Sequence, residues 1–157
     1  MTEKIVRKRD FVGIYKPNKN MNGAVAQFKM GSQRECMFLE LAKQVRPMDD
    51  SKPYDWDNTR VTIKLGEVDI GKLLALFNGA VAPNPDPTKD DLQLFHENAK
   101  GNKVIKLKRQ DRGYYMKVSM KEGERNEQIA IPISWDEVEL LRIALTEGYR
   151  IILGWSK

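Results

Sequence analysis

The sequence predicts an α+β fold built from two antiparallel four-stranded sheets, each followed by one helix. Two observations carry that prediction. Val61, Ile63 and Leu65 alternate with polar residues and lead into Ile70, Leu73, Leu76 and Phe77 at helical spacing, with Gly79 as a closing glycine. The pattern returns 68 residues later, where Ile129, Ile131 and Ile133 lead into Val138, Leu141, Ala144 and Leu145, with Gly148 in the closing place. One helix per group of strands also argues against βαβ crossovers and for antiparallel sheets. Sheets left open on one face are common platforms for nucleic acid.

The elements follow in order. Phe11 to Tyr15 reads as a strand ended by Lys16-Pro17-Asn18, where proline and asparagine favour a turn. Gly23 to Met30 is a second strand, in which Val25, Gln27 and Lys29 alternate with Ala24, Ala26, Phe28 and Met30. Gly31-Ser32 turns it into a third, Glu35 to Val45, with Met37, Leu39 and Leu41 facing the core. Arg46 to Asn58 holds two prolines and four aspartates and reads as a loop, which delivers the chain to the strand Arg60 to Leu65. Glu67 to Phe77 is a helix with Glu67 and Asp69 near its start, where they suit the helix dipole, and with Asn78-Gly79 as its stop.

Residues 80–91, with three prolines and three aspartates, read as a linker between halves at about 11–79 and 92–157. Four more strands are predicted over Leu92 to His96, Lys103 to Arg109, Tyr114 to Met120 and Gln128 to Ile133. Ser134 is the predicted N-cap of the final helix, with Glu137 completing a capping box. Tyr149, Ile151, Ile152, Leu153 and Trp155 form an apolar tail that packs under the sheets or joins another subunit. Residues 1–10 read as a flexible basic arm without the hydrophobic stretch of a secretory leader, and 11–157 as one domain.

Composition narrows the function classes. The chain of 157 residues is 41% hydrophobic and 31% charged, a globular composition. No apolar run approaches the roughly 20 residues of a membrane span, so no membrane partner is predicted. Cys36 is the only cysteine and His96 the only histidine. That excludes an intrachain disulfide and a thiolate or histidine-rich metal site, and it reads as a reducing, cytoplasmic setting. The acidic loop residues Asp86, Asp90 and Asp91 lack calcium-loop spacing, and no phosphate-loop, dinucleotide or hydrolase-elbow motif is present. The sequence therefore predicts no catalytic residue, no metal, no cofactor and no small-molecule substrate.

Charge points instead to an anionic polymer. Between Lys100 and Lys117 stand seven basic residues (Lys100, Lys103, Lys106, Lys108, Arg109, Arg112, Lys117) against one acid, Asp111, while the whole chain carries only +5. Such concentration on one hairpin is the footprint of a phosphate-binding surface. With Ile105, Leu107, Met116 and Val118 inward, alternation turns Lys106, Lys108, Tyr115 and Lys117 outward. An aromatic among lysines suits single strands, whose bases stack while phosphates meet ammonium groups. In the first half Arg60 and Lys64 alternate with core residues in the same way, and Lys16, Phe28 and Lys29 are further candidates. Tyr54 and Trp56 are candidate stacking platforms, Trp56 reading equally as a loop anchor. The same lysines also fit a surface that is merely solubilised by charge.

The order of segments resembles the Whirly family of single-stranded DNA-binding proteins. The matching pieces are Tyr54-Asp55-Trp56, Glu67-Val68-Asp69-Ile70-Gly71, Leu94-Phe95-His96-Glu97-Asn98 followed by Lys100-Gly101, Lys103-Val104, Leu107-Lys108, Gly113-Tyr114-Tyr115, the Ile129 to Ile133 strand with Pro132, and Leu153-Gly154-Trp155. The resemblance implies two four-stranded sheets, a homotetramer, and single strands bound between sheets of neighbouring subunits. It assigns the helices to oligomerisation, which makes Leu73, Phe77, Leu141 and Leu145, with Ile152 and Trp155 of the tail, the candidate assembly residues. The family's Lys-Gly-Lys-Ala-Ala-Leu motif falls at Tyr15 to Asn20, where this chain departs from it and only Lys16 and Lys19 keep the charge. The sequence shows no organelle transit peptide of the plant type and reads as a prokaryotic or viral relative.

The expected function is non-enzymatic binding of single-stranded DNA, largely tolerant of sequence, to protect or present exposed strands. A single-stranded RNA-binding or annealing protein is the alternative on the same platform, since stacking alone does not distinguish sugars. A transcriptional regulator on duplex DNA, and a structural oligomer whose basic hairpin meets an acidic protein, are the remaining readings.

Overall fold

A computed structural model describes residues 11–155. The basic arm assigned to residues 1–10 lies outside the described residues. The first half forms β1 (Phe11–Lys16), β2 (Ala24–Met30), β3 (Met37–Lys43), a short helix α1 (Trp56–Thr59), β4 (Val61–Leu65) and α2 (Glu67–Phe77). The second forms β5 (Leu92–Asn98), β6 (Gly101–Gln110), β7 (Gly113–Glu122), β8 (Arg125–Ser134) and α3 (Trp135–Ile152). Each set of four strands is one antiparallel meander in sequence order, sheet 1 being β1-β2-β3-β4 and sheet 2 β5-β6-β7-β8.

Alternation sets the layers. Ile14, Ala26, Phe28, Leu39, Leu41, Val61, Ile63 and Leu65 fill one face of sheet 1. Leu94, Ile105, Leu107, Met116, Val118, Ile129 and Ile131 fill one face of sheet 2. These faces and the buried sides of α2 and α3 form one continuous core, so the opposite face of sheet 2 and much of that of sheet 1, where Val25 and Ala42 are covered as well, are left toward solvent. Burial of this kind, about 1.5–3 kcal/mol per large side chain, is the main force holding both sheets in place.

Helix ends follow the sequence with two departures. The Ser134 N–H donates to the Glu137 carboxylate at 3.0 Å, as a capping box requires. Asp55 caps α1 by accepting from the Asn58 N–H at 3.1 Å, inside the segment that the sequence reads as loop. Gly79 has φ 77 and stops α2 as expected. Gly148 stops nothing: α3 runs through it to Ile152, and the turn comes at Gly154, φ 74. Gly148 is needed for closeness, because a Cβ there would stand 2.4 Å from the Met37 Sδ. The apolar tail is thus largely the last turns of α3, with Tyr149 and Ile152 packed against the core.

Polar ties lock the halves together. The sole histidine, His96 on β5, meets Asp69 of α2 at 3.0 Å, and the Tyr114 hydroxyl donates to the Leu76 carbonyl at 3.2 Å. β4 is an edge strand, and two cations from sheet 2 serve a carbonyl within it and the one just before it. Lys103 Nζ donates to the Thr62 carbonyl at 2.6 Å, and Arg125 to the Arg60 carbonyl at 2.8 Å. Edge carbonyls held by charged donors are blunted against pairing with another chain.

Candidate nucleic-acid interface

The open face of sheet 2 is set by register. Lys106 on β6 stands directly opposite Lys117 on β7, and Lys108 opposite Tyr115. Gln93 and Ala130 extend the lysine row to either side, Phe95, Val104 and Ser119 form the next row, and Pro132 flanks Tyr115. Lys117 Nζ lies 5.8 Å from the centre of the Tyr115 ring. Among the described residues neither Lys106 nor Lys117 has an ion-pair partner. Like charges directly opposite on a sheet repel, so this pair gains most from an anion laid across it. Phe95 is 55% exposed on the same face. It is not among the residues expected from the sequence, although alternation from buried Leu94 is signal enough.

The open face of sheet 1 is built differently. Across its strands Phe11, Lys29, Phe38 and Lys64 stand in register, an alternation of aromatic and cation. Phe38, half-buried there, is a second aromatic that the sequence reading missed. The next row holds Gln27, Glu40 and Thr62. Glu40 is ion-paired with Lys29 and, at 3.2 Å, with Arg60. Beside this face the loop before α1 and the end of β1 enclose a cleft lined by Tyr15, Arg46, Lys52, Tyr54 and Trp56. Tyr15 and Tyr54 have ring centres 6.3 Å apart, and the Arg60 guanidinium lies 5.2 Å from the centre of Trp56. The Tyr54 hydroxyl is buried without a partner, and burial, then the neighbouring Tyr15, holds its pKa above the ordinary tyrosine value.

Several candidates sit elsewhere. Phe28 is 2% exposed on the core side of β2, because it shares parity with Ala24 and Ala26, and so offers no ring for stacking. Lys16 also points inward, to Glu137 at 2.6 Å. Burial pushes the Glu137 carboxyl up, but Lys16 and Ser134 more than offset this and leave it below the usual range. Lys19 is exposed in the β1–β2 turn. Lys103 serves the edge of β4, as described above, and Arg109 covers Trp135, its guanidinium 5.1 Å from the ring centre. Lys108 reaches Asp91 at 3.6 Å in the linker. The Asp91 carboxylate is buried, which raises its pKa, yet the N–H groups of Asn84 and Arg109 and the Lys108 ammonium bring it below the ordinary value. Of the basic hairpin, Lys106 and Lys117 therefore remain at the centre of the open face as cations without an ion-pair partner among the described residues.

The assembly candidates need correction too. Leu73, Phe77, Leu141 and Leu145 are buried within the single chain, so their stripe is spent on the core and is closed to a partner. Ile152 is half-buried against that core, while Trp155 is 79% exposed. The large apolar side chains that α2 and α3 leave in solvent are Val68, Trp135, Leu140 and Ile143, of which Trp135 lies under Arg109. Among the described residues no group of three or more His, Cys, Asp or Glu is placed to hold a metal, and no helix is long and apolar enough to cross a membrane.

The family model described as Whirly transcription factor matches residues 16–144. The chain belongs to the Whirly family. Its architecture is that of solved Whirly proteins, a family that binds nucleic acid. WHY3 from Arabidopsis thaliana superposes with a TM-score of 0.67 at 19% identity, over 96% of this chain and 92% of that one. The plant transcriptional regulator PBF-2 gives 0.67 at 20% identity, over 98% and 94%. A guide-RNA-binding protein complex bound to a gRNA gives 0.69 at 12% identity, over 94% of each chain. No curated protein sequence matches this Whirly chain.

Proposed function

We propose that this Whirly-family protein is a non-enzymatic, largely sequence-tolerant binder of single-stranded DNA that protects or presents exposed strands. The observation that carries the reading is the unpaired Lys106–Lys117 pair beside Tyr115 and Phe95 on an open sheet. Lysines take phosphates by charge, and rings take bases by stacking, at about 1–3 kcal/mol per base and with little regard to sequence. The surface lacks the rigid donor and acceptor set of a helix in a duplex groove. A homotetramer fits the exposed Val68, Leu140 and Ile143 of α2 and α3, which a second copy would cover.

RNA is the second reading, favoured by the fold shared with the guide-RNA-binding complex. Fluorescence anisotropy with matched single-stranded DNA, duplex DNA and single-stranded RNA at two salt concentrations separates the cases. Tight, salt-weakened binding that prefers single-stranded DNA is the expected result. Preference for RNA would move the protein to the second reading, and binding to none would end both. Sedimentation of the same sample gives the oligomeric state.

A further inference from the structure

At the centre of the open face of sheet 1 lies a carboxylate that the core does not need. Met37, Leu39 and Leu41 of β3 face inward, whereas Glu40 stands on the solvent side between Gln27 and Thr62. It is nevertheless only 6% exposed, because Lys29 from β2 and Arg60 at the entrance to β4 close over it as ion-pair partners. Two carboxylate oxygens held by an ammonium and a guanidinium offer those cations what a backbone phosphate would offer. We propose that Glu40 is an internal phosphate mimic, which keeps Lys29 and Arg60 neutralised until a nucleic-acid strand displaces it. This rests on the nucleic-acid reading above and adds a mechanism to it.

The consequence is a low-cost exchange in place of a gain. Affinity for phosphates comes largely from the counterions that free cations release. Lys29 and Arg60 already have an anion, so a strand that crosses sheet 1 swaps one anion for another and releases little. Sheet 2 then grips the backbone, and sheet 1 is left to receive bases on Phe38 with a weak, reversible hold. Both cations are exposed enough to be solvated without Glu40, so removing its charge leaves no buried unpaired cation.

The test is a salt titration of anisotropy with single-stranded oligothymidylate, comparing the native chain, Glu40→Gln, Lys29→Gln and the double variant. Glu40→Gln is expected to bind more tightly and to steepen the log-log slope by about 1.4, the value for two phosphate contacts. Between 50 and 200 mM salt it would lose about sevenfold more affinity than the native chain. Lys29→Gln should leave the native slope unchanged and reduce the Glu40→Gln slope by about 0.7. A folded Glu40→Gln protein that titrates like the native chain would overturn the proposal, as would a native slope that falls on Lys29→Gln alone. Should Glu40→Gln fail to fold, Glu40→Asp, too short to span both cations, gives a rise of about 0.7 if the mimic operates and none if it does not. A native chain that binds no nucleic acid sinks the functional reading and this inference together, an outcome distinct from a native chain that binds and variants that match it.

Discussion

The two sheets share one core and present different faces to solvent. Sheet 2 has ten-residue strands β6, β7 and β8 joined by tight hairpins, and two unpaired lysines at the centre of its open side. Sheet 1 has strands of five to seven residues joined by longer connections, and it neutralises Lys29 and Arg60 with a carboxylate of its own. The difference teaches that counting cations on a face overstates its pull on phosphate. What counts is the number left without an internal anion, and among the described residues that is Lys106 and Lys117 at the centre of sheet 2 against Lys64 on sheet 1, which is richer in rings near its edge.

The comparison presupposes a common interior, and the largest expected effect tests that. Leu141 is fully buried on α3. Leu141→Ala should lower stability by about 2–5 kcal/mol, the range for such truncations in a core, measured by urea denaturation. Loss of assembly without loss of stability would return Leu141 to an interface.

Next in size is stacking on sheet 2. Tyr115→Ala should weaken single-strand binding by about 1–3 kcal/mol if a base lies on the ring, and Phe95→Ala should act in the same direction. A folded Tyr115→Ala protein that binds normally would assign that ring to the surface alone and would erase the aromatic half of the contrast between the sheets.

Charge gives a smaller and more discriminating effect. Replacing Lys106 and Lys117 together with glutamine should make the salt slope shallower by about 1.4, from two lost phosphate contacts. An equal response from Lys29→Gln, read in the same titration, would show that the sheets grip alike.

Much of this was legible in the sequence, for physical reasons that also mark its limits. All eight strands and both long helices follow from periodicity, since each element buries one face and the period reveals which. Glu137 three residues after Ser134 marks the start of the last helix from the sequence alone. Phe95 and Phe38 follow from the same alternation, as outward neighbours of buried Leu94 and of Met37 and Leu39. Other features depend on contacts far apart in the chain. That Lys16 reaches Glu137, that Lys103 caps a carbonyl of β4, or that Glu40 lies under Lys29 and Arg60 is decided by packing. Basic residues look equally available in a string of letters. Apolar stripes carry the same ambiguity: Leu73 and Leu141 recur at helical spacing whether the stripe meets a core or a partner. Gly148 shows it for turns, because glycine serves a helix stop and a close approach equally well.

The smallest expected effect concerns Lys108, the outward lysine that sheet 2 does lose. Asp91 holds it from the linker at 3.6 Å and also accepts from the N–H groups of Asn84 and Arg109 at 2.6 Å each. These donors set its pKa below the ordinary value against the opposing effect of burial. A carboxyl depressed on folding contributes stability above its unfolded pKa of about 3.9, and that contribution is lost as pH falls through the lower folded value. Asp91→Asn should therefore be less stable than the native chain near neutrality, and the difference should begin to shrink below about pH 4, where the unfolded carboxyl takes up its proton, and be lost as pH falls through the lower folded value. The same substitution frees Lys108 and should steepen the salt slope by up to about 0.7. A stability change without a change of slope would show that Lys108 stays with the linker even when its anion is removed, and would confine the phosphate contacts of that row to Lys106 and Lys117.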